Sequence, residues 1–120
     1  MQNQTPWQDV CGRDDLVEGS GVCALVAGRQ VAIFYLPAEN PPLHAIDNYD
    51  PLGDANVLYR GIVGDIGGEL VVASPLYKEH YALASGRCLE QPVAVQVWPA
   101  RLNGDRVELQ APALAMETAA

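Results

Sequence analysis

The chain has 120 residues, 49% of them hydrophobic, a mean hydropathy near zero, a formal net charge of −8 and a pI of about 4.4. That is one domain's length with a globular composition, enough for a single modest core. The charge argues against nucleic acid, whose phosphates it would repel, and no basic helix is present for an anionic membrane surface, which leaves solubility or a partner with a basic patch as its use.

The N-terminus, Met1 to Trp7, has no basic-then-apolar leader, and apolar runs such as LVVASPL are far shorter than a membrane span, so a cytoplasmic protein is expected. DDLVEG, from Asp14, has room for one short helical turn. GVCALVAGRQVAIFYLP then reads as two strands around a tight hairpin at Gly28-Arg29. Val22, Ala24 and Val26 share one face, and Val31, Ile33 and Tyr35 alternate across the turn. LHAIDN is a third strand, ending in the turn-rich NYDPLGDAN. GIVGD and ELVVAS flank a hairpin at Ile66-Gly67-Gly68, and HYALAS and RCLEQP flank Ser85-Gly86. VAVQVWPARL alternates and then bends at Pro99, and NGD turns the chain into RVEL. The tail from residue 111, APALAMETAA, has helix formers with little to pack against and is expected to fray. The pattern predicts a single all-β domain over residues 1–120, a sandwich or small barrel.

Few residues suggest chemistry. Cys11, Cys23 and Cys88 form no close pair, so they read as reduced thiols, each packed as a small apolar side chain. His44 and His80 lie beside no nucleophile elbow and read as surface or structural residues. The glycines match neither a phosphate loop nor a dinucleotide fingerprint. Asp47, Asp50 and Asp54 are spaced too loosely for a calcium loop and suit Asx-type turns.

The two turn-rich loops, read together, resemble those of a Rieske-type domain. The similarity runs through LHAIDNYDPLGDANVL and SPLYKEHYALASGRCLEQPVAVQVWPARLNGDRVEL, with a core over about residues 5–110. That family holds a [2Fe-2S] cluster between a Cys-Pro-His and a Cys-Pro-x-His loop, two thiolates on one iron and two imidazoles on the other. Here Asp50 and Leu52 stand at the first loop's ligand positions around Pro51. Ser74 and Tyr77 stand at the second loop's, with Pro75 retained. Leucine has no donor atom, and oxygen donors are poor substitutes for thiolate and imidazole, so the resemblance implies the fold without the cluster.

AIDNYDP, ANVLYRGIVGD, VVASPLYK and GRCL further resemble the small subunits of the bacterial assimilatory NAD(P)H-dependent nitrite reductases. The resemblance implies a large-subunit partner carrying FAD, siroheme and an iron–sulfur cluster. On that partner NAD(P)H would drive the reduction of nitrite to ammonia, while this chain would have no catalytic residue, metal or cofactor of its own. Tyr49, Leu52, Arg60, Leu76, Tyr77 and Lys78 are then the candidate partner contacts. Alternatively, Leu52 and Tyr77 fill the space the cluster would occupy. Two other readings stay open: a free-standing binding or regulatory domain, and an electron carrier with a non-standard metal site built from Asp50, Ser74, Tyr77 and His80.

Overall fold

The run VAIFYL, residues 31–36, is apolar at every position, which suits a strand covered on both faces. The computed structural model, which describes residues 6–112, places it there. Twelve strands follow in chain order: β1 Gln8–Gly12, β2 Ser20–Val26, β3 Arg29–Tyr35, β4 Leu43–Asp47, β5 Tyr49–Asp50, β6 Ala55–Asn56, β7 Ile62–Ile66, β8 Glu69–Ala73, β9 His80–Ala82, β10 Val97–Trp98, β11 Ala100–Asn103 and β12 Arg106–Leu109. They form four sheets, β1-β12-β11, β10-β4-β3-β2, β5-β6 and β7-β8-β9. Every strand pairing within them is antiparallel.

Alternate residues of β3 feed two separate cores. Val31, Ile33 and Tyr35 pack with Leu43, Ala45, Trp98, Val107 and Leu109. Ala32, Phe34 and Leu36 face the other way, against Ile46, Leu58, Val72, Tyr81 and Leu83. The alternation at 31, 33 and 35 was legible in the sequence. The burial of the opposite face follows from the chain lacking a polar residue there.

The hairpin turns follow their backbone chemistry. The β2–β3 turn centres on Ala27-Gly28, one residue before the expected Gly28-Arg29, and both residues have positive φ, 52° and 79°. Such a two-residue turn matches strand twist only when both centres are left-handed, so Arg29 is already in β3. Gly67 and Gly68 turn β7 into β8 with φ of 61° and 90°. The expected short helical turn is a 3-10 turn at Arg13–Asp15.

Other expectations are corrected. RCLEQP forms no strand; the isolated bridges Tyr81–Cys88 and Arg87–Ala94 and hydrogen bonds of Glu90 and Leu89 with His80 tie this stretch down. The sequence reading assigned no strand at β1, whose partner β12 lies almost a chain length away. Cys88 is buried as expected and Cys11 is half-buried, but Cys23 is exposed, in edge strand β2. Fraying does not begin at residue 111: Ala111 packs against the core and Pro112 is buried. The rest of the expected frayed tail, 113–120, lies outside the described residues. No helix among the described residues is long and apolar enough to cross a membrane.

Side chains fix the point where the fold hands over to its loops. At the end of β4, Asp47 accepts from Trp98 Nε1 at 2.8 Å and from Arg29 Nη2 at 2.9 and 3.0 Å. Buried Asn48 donates from Nδ2 to Gln30 Oε1 at 3.0 Å and accepts at Oδ1 from the backbone N–H of Tyr59 at 2.8 Å.

Two glycines give a test of packing against conformation. Gly28 and Gly86 both have φ of +79°, but a Cβ at Gly86 would lie 2.1 Å from the Val95 carbonyl oxygen, whereas Gly28 faces open space. Gly28→Ala should cost about 1–2 kcal/mol, the left-handed penalty alone. Gly86→Ala should cost about 1–3 kcal/mol more, because backbone must move. Chemical denaturation of the two variants reads the difference.

Candidate functional site

Two loops meet at one end of the molecule, and they are built alike. Residues 50–54 read Asp-Pro-Leu-Gly-Asp and residues 74–78 read Ser-Pro-Leu-Tyr-Lys. In each, the first residue's side-chain oxygen accepts the N–H two residues on: Leu52 N to Asp50 Oδ1 at 3.0 Å, and Leu76 N to Ser74 Oγ at 3.3 Å. In each, the first residue's carbonyl accepts the N–H four residues on, from Asp54 at 2.8 Å and from Lys78 at 3.0 Å. In each, that fourth residue has positive φ, 53° at Asp54 and 66° at Lys78. Proline in second place fixes φ at the start of the turn and needs no donor. The expected Asx turn at Asp50 is thus present and has a serine counterpart.

The loops are joined by their first residues. Ser74 Oγ donates to Asp50 Oδ2 at 2.5 Å, and Tyr81, from β9, donates its hydroxyl to Asp50 Oδ1 at 2.8 Å. All three side chains are buried, Asp50 and Ser74 at 1% exposure and Tyr81 at 0%. A buried carboxylate is costly unless hydrogen bonds replace its water. Burial alone pushes the Asp50 pKa up. Hydrogen bonds from Ser74, Tyr81 and the backbone N–H groups of Gly53 and Leu52 outweigh it and hold the carboxyl below its ordinary value. Burial, and then the neighbouring carboxylate, push the Tyr81 phenol far up, so it stays a donor. Leu76 packs over Gly53: its Cδ1 lies 2.4 Å from where a Cβ on residue 53 would sit, so a side chain there would displace Leu76.

The four positions matching Rieske ligands therefore separate. Asp50 and Ser74 bond to each other. Leu52 is half-buried and packs against the core. Tyr77 is 66% exposed. The idea that Leu52 and Tyr77 jointly fill a vacated cluster space is corrected: Leu52 packs inward, Tyr77 does not, and the Asp50–Ser74–Tyr81 network occupies the junction. His80, the fourth donor of the alternative metal site, is engaged elsewhere, with Nδ1 2.6 Å from Glu90 Oε2. Among the described residues no group of three or more His, Cys, Asp or Glu side chains is placed to hold a metal ion. A single carboxylate, already saturated by donors, beside a hydroxyl, does not fit a [2Fe-2S] cluster.

Of the other candidate contacts, Tyr49 and Leu76 are 42% and 44% exposed, and Lys78 is exposed. Arg60 is also exposed, on the 3-10 turn Leu58–Arg60 that Asn48 anchors, with its guanidinium 5.6 Å from the Tyr59 ring centroid. Asn48 and Tyr81 were not singled out by the sequence. The available signal was weak: a polar residue closing an apolar strand, and a tyrosine in an apolar stretch whose hydroxyl would need a partner. Half-buried His44 is packed at the start of β4, its pKa pulled down by burial.

Four similarities to known proteins bear on this site. The Rieske-like [2Fe-2S] domain family matches residues 6–110. The nitrite reductase (NADH) small subunit of Salmonella typhimurium is 44% identical over 105 residues, covering 87% of this chain and 96% of that one. The solved structure of Escherichia coli NirD superposes with a TM-score of 0.80 at 39% identity, over 89% of this chain and 97% of that one. A 103-residue part of the Klebsiella oxytoca nitrite reductase [NAD(P)H] large subunit is 40% identical, covering 85% of this chain and 10% of that protein.

The network predicts a pH signature. Because the Asp50 pKa is depressed on folding from an ordinary 3.8, its ionised form adds stability at neutral pH, and that increment is lost as pH falls through the folded value. Asp50→Asn should be about 2 kcal/mol less stable than the parent at pH 7, the scale of a charged hydrogen-bond set, and the gap should narrow below about pH 4. Denaturant titrations across that range measure it. Ser74→Ala should cost about 1.5–3 kcal/mol at neutral pH.

Proposed function

The chain belongs to the Rieske-like [2Fe-2S] domain family and is a small subunit of NAD(P)H nitrite reductase, and we propose that it works there as a cluster-free docking module. The observation that carries this reading is the Asp50–Ser74 hydrogen bond, which joins the two loops through the very positions a cluster would need. With those donors consumed, the chain holds no cofactor, and catalysis belongs to the large subunit. Reduction of nitrite by NAD(P)H, with FAD, siroheme and an iron–sulfur cluster, is assigned to that partner, and the complex to the cytoplasm. The Klebsiella protein supports the partnership, since a module like this chain is part of a large-subunit polypeptide there.

The docking surface we assign is the outer side of the joined loops. Tyr49, Leu76, Tyr77 and Lys78 present two aromatic rings, one aliphatic side chain and one cation there, the residue types that anchor interfaces. Arg60, exposed on the Leu58–Arg60 turn, is assigned to it as a further cationic contact. Leu52, half-buried under the loop, supports it from within. The internal hydrogen bonds fix the loops before binding, so little ordering entropy remains to be lost on association.

The test is association with the large subunit and its nitrite turnover with and without this chain. Co-purification and altered turnover are expected; no association together with unchanged turnover would remove the reading. Tyr77→Ala with Lys78→Ala should weaken association by about tenfold or more, while the thermal midpoint stays within about 1–2 °C of the parent. Loss of stability with affinity retained would instead assign these side chains to packing.

A further inference from the structure

The β7–β8 ribbon has two ends. The loop at residues 74–79, which leads from β8 to β9, leaves from one; the Gly67-Gly68 turn closes the other, about 13 Å away along β8. At that far end lies a groove of about 520 Å³ between β7 and the segments at residues 18–19 and 36–39. Leu36, Val63 and Leu70 form its floor, and Glu18, Glu39 and Asp65 stand around it. No lysine or arginine lines it. Among the described residues, the Glu18 and Glu39 side chains make no hydrogen bond or ion pair, and the one group that interacts electrostatically with Glu39 is the half-buried His44.

One wall of this groove is an open strand edge. β7 pairs with β8 alone, in regular register, and its backbone makes no hydrogen bond to another element among the described residues. Edge strands are usually blunted by proline, charged side chains or a bulge. β7, Ile-Val-Gly-Asp-Ile, has no proline and no bulge, and its one charged side chain, Asp65, accepts the Gly68 N–H of the turn at 2.9 Å. Gly64 at its centre leaves open space where a side chain would stand, and Ile62 and Ile66 are 78% and 43% exposed beside it.

We propose that β7 accepts an added strand from the large subunit, an extended segment alternating apolar residues with lysine or arginine. Main-chain hydrogen bonds to the β7 edge would supply affinity, and the groove would select the side chains. Apolar residues would sit on Leu36, Val63 and Leu70, and cations would meet Glu18, Glu39 and Asp65. A second copy of this chain is a poor occupant, because two chains of charge −8 would bring like-charged acidic rims together. The proposal rests on the docking reading above and adds a second contact to it, at the opposite end of the ribbon from the loops.

Hydrogen–deuterium exchange of the free chain and of its complex with the large subunit tests it. Amides of residues 62–66 should exchange at least about tenfold more slowly in the complex, as strand addition demands. Glu18→Lys with Glu39→Lys, both exposed and with side chains that make no hydrogen bond or ion pair among the described residues, should weaken association by about tenfold in low salt, and the loss should shrink as salt rises. A complex that forms with unchanged exchange at 62–66, or with unchanged affinity in the charge-reversed variant, overturns this inference alone. Failure of the parent chain to associate overturns the docking reading and this inference with it.

Discussion

A carboxylate buried to 1% exposure sets the terms for everything around it. Asp50 must be met by donors or it would cost several kcal/mol to bury. Its donors come from three places: the backbone of its own loop, Ser74 in the second loop, and Tyr81 in β9. Satisfying one charge therefore fixes the first loop's turn, the approach of the second loop, and the placement of β9 beside β8. In the fold this chain resembles, metal–ligand bonds between the loops would make that cross-link. Here hydrogen bonds make it, with proline retained after each position that matches a ligand cysteine and the same turn geometry in both loops.

The network also separates support from display. Asp50, Ser74 and Tyr81 bond inward, and Leu76 packs over Gly53 beside them. What remains outward is Tyr49, Tyr77, Lys78 and the outer part of Leu76. A tip held by internal bonds can keep large apolar side chains in solvent in a set arrangement, which suits recognition of a partner. The rest of the scaffold keeps that tip in place. Asn48 ties the first loop to β3 and to the Leu58–Arg60 turn, while Asp47 with Trp98 and Arg29 ties β4 to its neighbours.

Much of this was legible in the sequence where the cause is local. Gly67-Gly68 and Asn103-Gly104-Asp105 mark their hairpins because only such residues take the required backbone angles easily. Asp50-Pro51 and Ser74-Pro75 mark the loops for the same kind of reason. What was not legible depends on residues far apart in the chain. β1 is a strand because β12 pairs with it, and nothing within Gln8–Gly12 announces that. Tyr81 reaches Asp50 across 31 positions, so its part in the site is a tertiary fact. The inward turn of Leu52 and the outward turn of Tyr77 were undecidable from two apolar-compatible residues in similar loops. The open edge of β7 appears only once the sheet order is known.

Joined as they are, the two loops should be unable to hold a cluster. Visible absorption with iron and sulfide analysis of the purified chain, after anaerobic reconstitution with iron and sulfide, decides it. A colourless protein with no bound iron is the predicted result. Absorption of a [2Fe-2S] type with about two irons per chain would contradict it, because Asp50 and Ser74 could not then be bonded to each other.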